Sequence, residues 1–287
     1  MRASWTLCLR YEDCSLKIAV AQLCSGIDPQ RNADALVKAI AEAAAGGAAM
    51  LFTPEMSGLL DSNRGRARGH IVAEEHDVVL AAVRAAAKAH KLWVHLGSTP
   101  VLAEAGDGRY ANRALVIDEQ GIIRARYDKM HLFDVDLPTG ESWRESSAYV
   151  AGEAPAMVDT PLGKLGLSIC YDLRFPALYQ AYSAAGAQLL AIPAAFTVPT
   201  GKAHWHTLMK ARAIENACFV IAAAQSGTHE DGRQTYGHSL VIDPWGEVLL
   251  DMGDGVGIGF AELDMVRLAD VRARVPVLAH RRTIPHI

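Results

Sequence analysis

Residues 115–121 read Leu-Val-Ile-Asp-Glu-Gln-Gly, and residues 240–246 read Leu-Val-Ile-Asp-Pro-Trp-Gly. Each is a short apolar run halted by an aspartate and a glycine, the composition of a strand entering a tight turn. The likeness extends backward from both. Lys17 opens a short apolar strand over residues 17–23, just ahead of Cys24; Lys164 opens one that ends at Cys170. Residues 46–54 and 185–193 agree at Gly47 and Gly186, Leu51 and Leu190, and Pro54 and Pro193. After Asp28-Pro29, the residues Ala33, Leu36, Val37, Ile40 and Ala44 keep the i, i+3, i+4 spacing of a buried helix face. Further helices are predicted near residues 76–90, 176–185 and 202–216.

One half is therefore strand-helix-strand-helix-strand plus a β-hairpin, and the chain uses it twice. Chance likeness of strand-helix grammar is the competing explanation. Strands that are apolar throughout need cover on both faces. Two sheets packed on each other, each with helices on its outer face, supply that cover. The expected fold class is α/β: a four-layer αββα sandwich with an internal two-fold repeat. Residues 17–287 read as one domain with no linker between the halves. Residues 1–16 read as a poorly tied-down extension, too short and polar for a secretory signal.

The 287 residues carry 28 Lys and Arg against 32 Asp and Glu, interspersed, so no basic stripe for nucleic acid or polybasic patch for a membrane is formed. The longest apolar run, residues 43–52, falls short of the roughly 18–20 residues of a membrane span. Cys8, Cys14, Cys24, Cys170 and Cys218 are odd in number and form no C-x-x-C pair, which argues against a disulfide framework and a zinc site. Reduced thiols in the cytoplasm are the expectation. His204 and His206 are not expected to share a metal, because i and i+2 on a helix face different ways and the sequence shows no third ligand. No cofactor is expected.

Residues 164–176 read Lys-Leu-Gly-Leu-Ser-Ile-Cys-Tyr-Asp-Leu-Arg-Phe-Pro, a strand running into a helix-opening proline. Cys170 stands at the strand's C-terminal end, where open α/β sheets place ligands and reacting groups. A thiol attacks a carbonyl carbon as the thiolate, so it needs a base and a cationic neighbour. Glu55, after Phe52-Thr53-Pro54, and Lys129, in Tyr127-Asp128-Lys129-Met130-His131, follow strands in the same way. Glu55 can take the thiol proton. Lys129 and the backbone N–H after Cys170 can hold the charge that develops on the substrate oxygen. Taken singly, each has an ordinary reading: a small core residue, a helix cap, a solvated charge.

Together these segments resemble the nitrilase superfamily of carbon–nitrogen hydrolases, over about residues 17–282. The resemblance implies a Glu55-Lys129-Cys170 triad, with Glu145 in Arg144-Glu145-Ser146 as a supporting glutamate. It also implies a sandwich that commonly dimerises, so a homodimer or higher homo-oligomer is expected. Residues 203–205 (Ala-His-Trp), 211–216, 222–227 and 236–239 (Tyr-Gly-His-Ser) look most like the deaminated glutathione amidases. The ω-amidases acting on 2-oxoglutaramate share the triad motifs with less likeness across 222–239. Either branch implies a small-molecule amide whose acyl part is a 2-oxo acid, with Tyr171, Arg174, Phe196 and Thr200 at the substrate. Arg174 offers a planar fork for a carboxylate; pairing with Asp172 or a helix end is its alternative. Two positions depart from the family pattern, His206 where Glu usually follows His-Trp and Lys202 where Pro is common. Residues 275–282 read as an extended arm able to cross a dimer interface.

Overall fold

The computed structural model describes residues 15–104, 108–136, 140 and 142–284. The first half supplies strands β1 (Ser15–Gln22), β2 (Met50–Phe52), β3 (Trp93–Leu102), β4 (Tyr110–Ile117) and β5 (Ile123–Asp128). Helices α1 (Pro29–Ala45) and α2 (Val78–His90) connect the first three. The second half supplies β6 (Ala156–Thr160), β7 (Gly163–Leu167), β8 (Leu189–Ala191), β9 (Phe219–Ala222), β10 (Leu240–Ile242) and β11 (Val248–Asp251). Its helices are α3 (Pro176–Ala184) and α4 (Val198–Asn216), and the chain closes with β12 (Gly257–Asp264) and α5 (Met265–Arg274).

Each helix start has a local cause. The Asp28 carboxylate accepts from the Gln30 N–H at 2.9 Å with Pro29 in the first turn, and Asp77 accepts from Leu80 N–H at 2.7 Å. Such caps satisfy donors that the first turn leaves without intrahelical partners.

The strands assemble into two six-stranded sheets, ordered β12-β1-β2-β3-β4-β5 and β11-β10-β9-β8-β7-β6. In each, three strands run parallel and the hairpin that follows is antiparallel. Reversing the second list aligns β7 with β1, β8 with β2, β9 with β3, β10 with β4 and β11 with β5, the order the repeat requires. The duplicated Leu-Val-Ile-Asp motif closes the same turn in both halves. Asp118 Oδ1 accepts from Gln120 and Ile122 N–H at 2.9 Å, and Asp243 Oδ1 accepts from Trp245 and Glu247 N–H at 2.9 and 2.8 Å. Gly121 and Gly246 take the left-handed backbone this turn needs (φ 76° and 93°).

Alternation along β1 shows why its strand is apolar throughout. Ile18 and Val20 enter the core between the sheets with Phe52, Val116, Leu165 and Leu167. Ala19 and Ala21 lie in a second core, where Leu51, Val94 and Leu115 pack beneath Leu36, Ile40 and Val83 of α1 and α2. The outer face of the second sheet is covered through Tyr179, Tyr182, Trp205 and Met209 of α3 and α4. Each large side chain so buried contributes roughly 1.5–3 kcal/mol.

Three details differ from the sequence reading. β1 starts at Ser15, two residues before Lys17; residues 1–14 of the N-terminal extension lie outside the described residues. Helix α4 starts at Val198 rather than near 202, because Pro199 is accommodated in a first turn that needs no N–H from it. Most consequential, each sheet gains an antiparallel edge strand, β6 on β7 and β12 on β1. Both are partly exposed along most of their length. Within residues 275–282, Arg281 donates to Gln180 O and to Asn216 Oδ1 of its own chain, each at 3.0 Å. Among the described residues, no helix is long and apolar enough to cross a membrane.

Candidate active site

Three strand ends converge on one cavity. Glu55 follows β2, in a segment held to β3 by the Thr53 N–H donating to His95 O (3.0 Å) and the Ser57 N–H donating to Ser98 O (2.9 Å). Lys129 follows β5, its own N–H donating to Asn112 O at 3.0 Å. Cys170 follows β7, and its N–H donates to Pro193 O at 2.8 Å. Cys170 has φ +49°, and Met56, beside Glu55, has φ +55°. Left-handed backbone at a residue with a Cβ costs on the order of 1–2 kcal/mol, so the surroundings must enforce it.

Asp172 does much of the enforcing at Cys170. Fully buried, its Oδ2 accepts from Ile169 N–H at 2.8 Å and from the Tyr127 hydroxyl at 2.7 Å. Its Oδ1 accepts from His131 N–H at 3.0 Å and lies 2.7 Å from His131 Nδ1. The His131 ring stacks on Phe175, 3.6 Å between centroids. One carboxylate thus fixes the turn carrying Cys170 to the segment carrying Lys129.

The polar centre is almost closed to solvent, with Glu55 4%, Lys129 2% and Cys170 8% exposed. Lys129 Nζ lies 2.9 Å from Glu55 Oε1, 2.9 Å from Glu145 Oε2 and 3.2 Å from Glu145 Oε1. Glu55 Oε2 accepts from Ala195 N–H at 2.9 Å, and Glu55 and Cys170 line the same cavity. Glu145 Oε2 also accepts from Phe133 N–H at 2.7 Å.

Burial pushes the Glu55 carboxyl upward, but the charge and hydrogen bond of Lys129, with the Cys170 and Ala195 bonds, hold it below the usual range. Burial likewise opposes the Lys129 charge, yet Glu145 and then Glu55 raise it well above a free lysine. Burial and the Glu55 charge push the Cys170 thiol well up, with Lys129 opposing. The resting state is a neutral thiol beside a carboxylate that shares an ammonium with Glu145.

A cavity of about 330 Å³ opens onto this centre. Glu55, Lys129, Glu145 and Cys170 line it, as do Tyr171, Phe196 and Thr200. Arg174 is not among the lining residues. Its guanidinium lies 5.9 Å from the Tyr171 ring and 5.5 Å from the Phe196 ring, with His204 Nδ1 at 3.3 Å. Asp172 is fully engaged elsewhere, so it is not Arg174's partner. The cationic wall comes instead from Arg64, Arg144 and Arg233. Arg144 is committed to Asp136 at 2.9 Å, and Arg64 to Arg144 O and the Ser147 hydroxyl. Arg233 lies 4.8 Å above the Trp143 ring, 3.6 Å from Asp231, and its buried Nε has no partner among the described residues.

Sequence reasoning passed over Asn112, Asp172 and Arg233. Buried Asn112 donates through Nδ2 to Glu55 Oε1 (3.0 Å) and approaches Glu145 Oε1 (3.3 Å). The available signal was a polar residue near the start of a strand that continues as an apolar run from Ala114 to Ile117, and such a residue must find hydrogen-bond partners when buried.

A buried thiol, a paired carboxylate and a buried ammonium at the strand ends of a doubled α/β sandwich define a hydrolase of amide-like bonds. The carbon-nitrogen hydrolase family model matches residues 17–273, and the chain belongs to that family. It is 39% identical over 270 residues to a deaminated glutathione amidase of Yersinia enterocolitica, covering 93% of both chains. A human deaminated glutathione amidase is 37% identical, over 92% of this chain and 82% of that one. Among solved structures, the Caenorhabditis elegans NitFhit protein superposes with TM-score 0.86 at 40% identity, over 93% of this chain and 65% of that one. Saccharomyces cerevisiae Nit3, a nitrilase-superfamily member, gives 0.83 at 28% identity, over 94% and 97%.

Proposed function

We propose that this carbon–nitrogen hydrolase cleaves the amide of deaminated glutathione, releasing 2-oxoglutarate and Cys-Gly through a Cys170 thioester. The observation that carries the reading is one cavity wall that brings the Cys170 thiol together with the Glu55 carboxylate and the Lys129 ammonium, the last two 2.9 Å apart. The relatives named deaminated glutathione amidase over most of this chain support the substrate.

The thiol attacks the amide carbon while its proton passes to Glu55, and the new S–C bond leaves a negative oxygen. Lys129 has three N–H donors; Glu55 and Glu145 take two, and the third is available for that oxygen. The Tyr171 N–H, in the first turn after the nucleophile and so without an intrahelical acceptor, is the second donor. The charge lost from Glu55 reappears on the oxyanion, so the buried site keeps the same total charge through the attack. Collapse breaks the C–N bond, and Glu55 returns the proton to the departing amine. Water then attacks the thioester and gives a proton to Glu55, which passes it to the Cys170 sulfur as the S–C bond breaks and 2-oxoglutarate leaves. Glu145 holds Lys129 in place for both halves.

The substrate carries two carboxylates, and the under-committed Arg233 suits one of them. Tyr171, Phe196 and Thr200 complete the contact surface, with Arg174 against the Tyr171 and Phe196 rings rather than in the cavity lining. The test is product release from a panel of deaminated glutathione, 2-oxoglutaramate, glutamine, an N-carbamoyl amine and a nitrile. Deaminated glutathione should give the highest kcat/KM. A higher value for 2-oxoglutaramate would reassign the chain as an ω-amidase. Turnover that survives Cys170→Ala would remove the thioester.

A further inference from the structure

His204 and His206 diverge on α4, as their spacing requires. His204 faces Arg174, whereas His206 meets His238 and Asp251 on the other side. His206 Nε2 is 2.9 Å from Asp251 Oδ2, and His238 Nδ1 is 2.9 Å from Asp251 Oδ1. The three side chains offer one ligand atom each, all within 4.8 Å of one another. They come from three elements: α4, the segment before β10 and the end of β11.

Two of the three are firmly held. His238 has φ +54°, its carbonyl accepts from Trp205 Nε1 at 2.8 Å, and its N–H donates to Gly253 O at 2.8 Å. Its ring stacks on Tyr236 at 4.5 Å. Asp251 Oδ1 also accepts from Gly253 N–H at 2.9 Å. His206 stands one turn beyond Lys202 on the exposed side of α4, about a third exposed.

We propose that His206, His238 and Asp251 form a second site, separate from the Cys170 cavity, that binds a divalent transition-metal ion of the zinc, cobalt or nickel kind. Two imidazoles and a carboxylate are the donor set such ions take, with water in the remaining positions. Metal–ligand bonds of about 2.0–2.1 Å require ligand atoms about 3.3 Å apart in a tetrahedron. Each nitrogen now faces a different oxygen of Asp251 at 2.9 Å, so ion binding requires the two nitrogens to draw together around that carboxylate. Partial exposure of all three leaves room for the water ligands. The occupied site would clamp α4, which carries Thr200 of the cavity wall, to β11.

The test is calorimetric titration of Zn²⁺ into metal-stripped full-length protein and into His206→Gln, Asp251→Asn and Cys24→Ser variants, with melting temperatures taken with and without Zn²⁺. Cys24 lies 3.6 Å from His229 and is the competing thiol site. The expected result is one ion per chain, bound at least 10-fold more weakly after His206→Gln or Asp251→Asn and unchanged by Cys24→Ser. Zn²⁺ should raise the melting temperature of the wild type and the Cys24→Ser variant only. Equal binding by wild type and His206→Gln, loss of binding in Cys24→Ser, or no stoichiometric binding overturns the proposal.

Discussion

The Ala195 N–H donates to Glu55 Oε2 at 2.9 Å, so a backbone group of the second half orients a carboxylate of the first. That bond leaves Glu55 Oε1 to Lys129 and Asn112. Glu55 is thereby held from both halves, and its role as base can be tested without disturbing either sheet.

Glu55→Gln keeps the shape and removes the proton acceptor. Turnover of deaminated glutathione should fall by about 10²–10⁴, the range for losing a general base, with the far-ultraviolet circular dichroism spectrum unchanged. Stopped-flow and intact-mass measurement should show no Cys170 thioester. A loss under about tenfold would mean that another group accepts the proton.

Asn112→Ala deletes a donor shared between the two glutamates. One lost hydrogen bond to a charged group corresponds to about 1.5–3 kcal/mol, so kcat should drop roughly 10- to 100-fold while KM changes little. A rise in KM with kcat intact would place Asn112 among substrate contacts instead.

The pH profile follows from the directions of the shifts. Glu55 must be ionised and sits below the usual 4.5, so the acid limb of kcat/KM should fall below that value. A depressed carboxyl also stabilises the fold above its unfolded pKa, and that stabilisation is lost as pH falls through the folded one. Cys170 is pushed well above 9.0, so ultraviolet titration should show no thiolate from it between pH 6 and 9. A thiolate step near neutrality would make the resting nucleophile already ionised.

Arg233→Lys removes a bidentate fork from the cavity wall and should raise KM by about tenfold, equivalent to about 1.4 kcal/mol. Arg174→Lys is the control in the same assay, since that residue stands outside the cavity lining. An Arg174 variant with unchanged KM would leave that residue a packing role against Tyr171 and Phe196.

His95 gives a stability prediction away from catalysis. Its ring is buried beside Phe52 with neither nitrogen hydrogen-bonded among the described residues, and burial lowers its pKa from 6.5 to about 3. Above pH 6.5 it is neutral in both states and costs nothing by titration. As pH falls below 6.5 the unfolded chain takes a proton that the folded chain refuses, so stability declines by up to about 1.4 kcal/mol per pH unit until near pH 3. His95→Leu should flatten that decline and add about 1–3 kcal/mol at neutral pH by removing two unpaired nitrogens, read as urea midpoints at pH 7.5 and 5. An unchanged slope would assign the acid sensitivity elsewhere.

The central strands were legible because each is buried on both faces, so residues 17–23 and 164–169 announce themselves as apolar runs. The duplicated Leu-Val-Ile-Asp motif gave the repeat because its aspartate performs one fixed job, accepting two turn N–H groups. β6 and β12 were not legible, since the apolar part of β6 is only Ala156 to Val158 and glycines interrupt that of β12. At the site, Glu55, Lys129 and Cys170 could be singled out as reactive groups following strands. Asn112 and Asp172 act by orienting others, and Arg233 reaches the cavity from a hairpin distant in sequence. His238 and Asp251 escaped for the same reason: they stand 32 and 45 positions from His206 and only the folding of β10 and β11 brings them together.

The edge strand β12 has a bearing on how the chain is made. Ser15 pairs with Asp264, and Ser15 Oγ donates to Glu262, 247 positions away. The corresponding strand of the second half, β6, adjoins its partner through a tight hairpin, Thr160 opposite Gly163. The second sheet can therefore close from its own neighbourhood. The first leaves the β1 edge without its partner until residues 257–264 have emerged from the ribosome, so of the two sheets the one begun first is completed last.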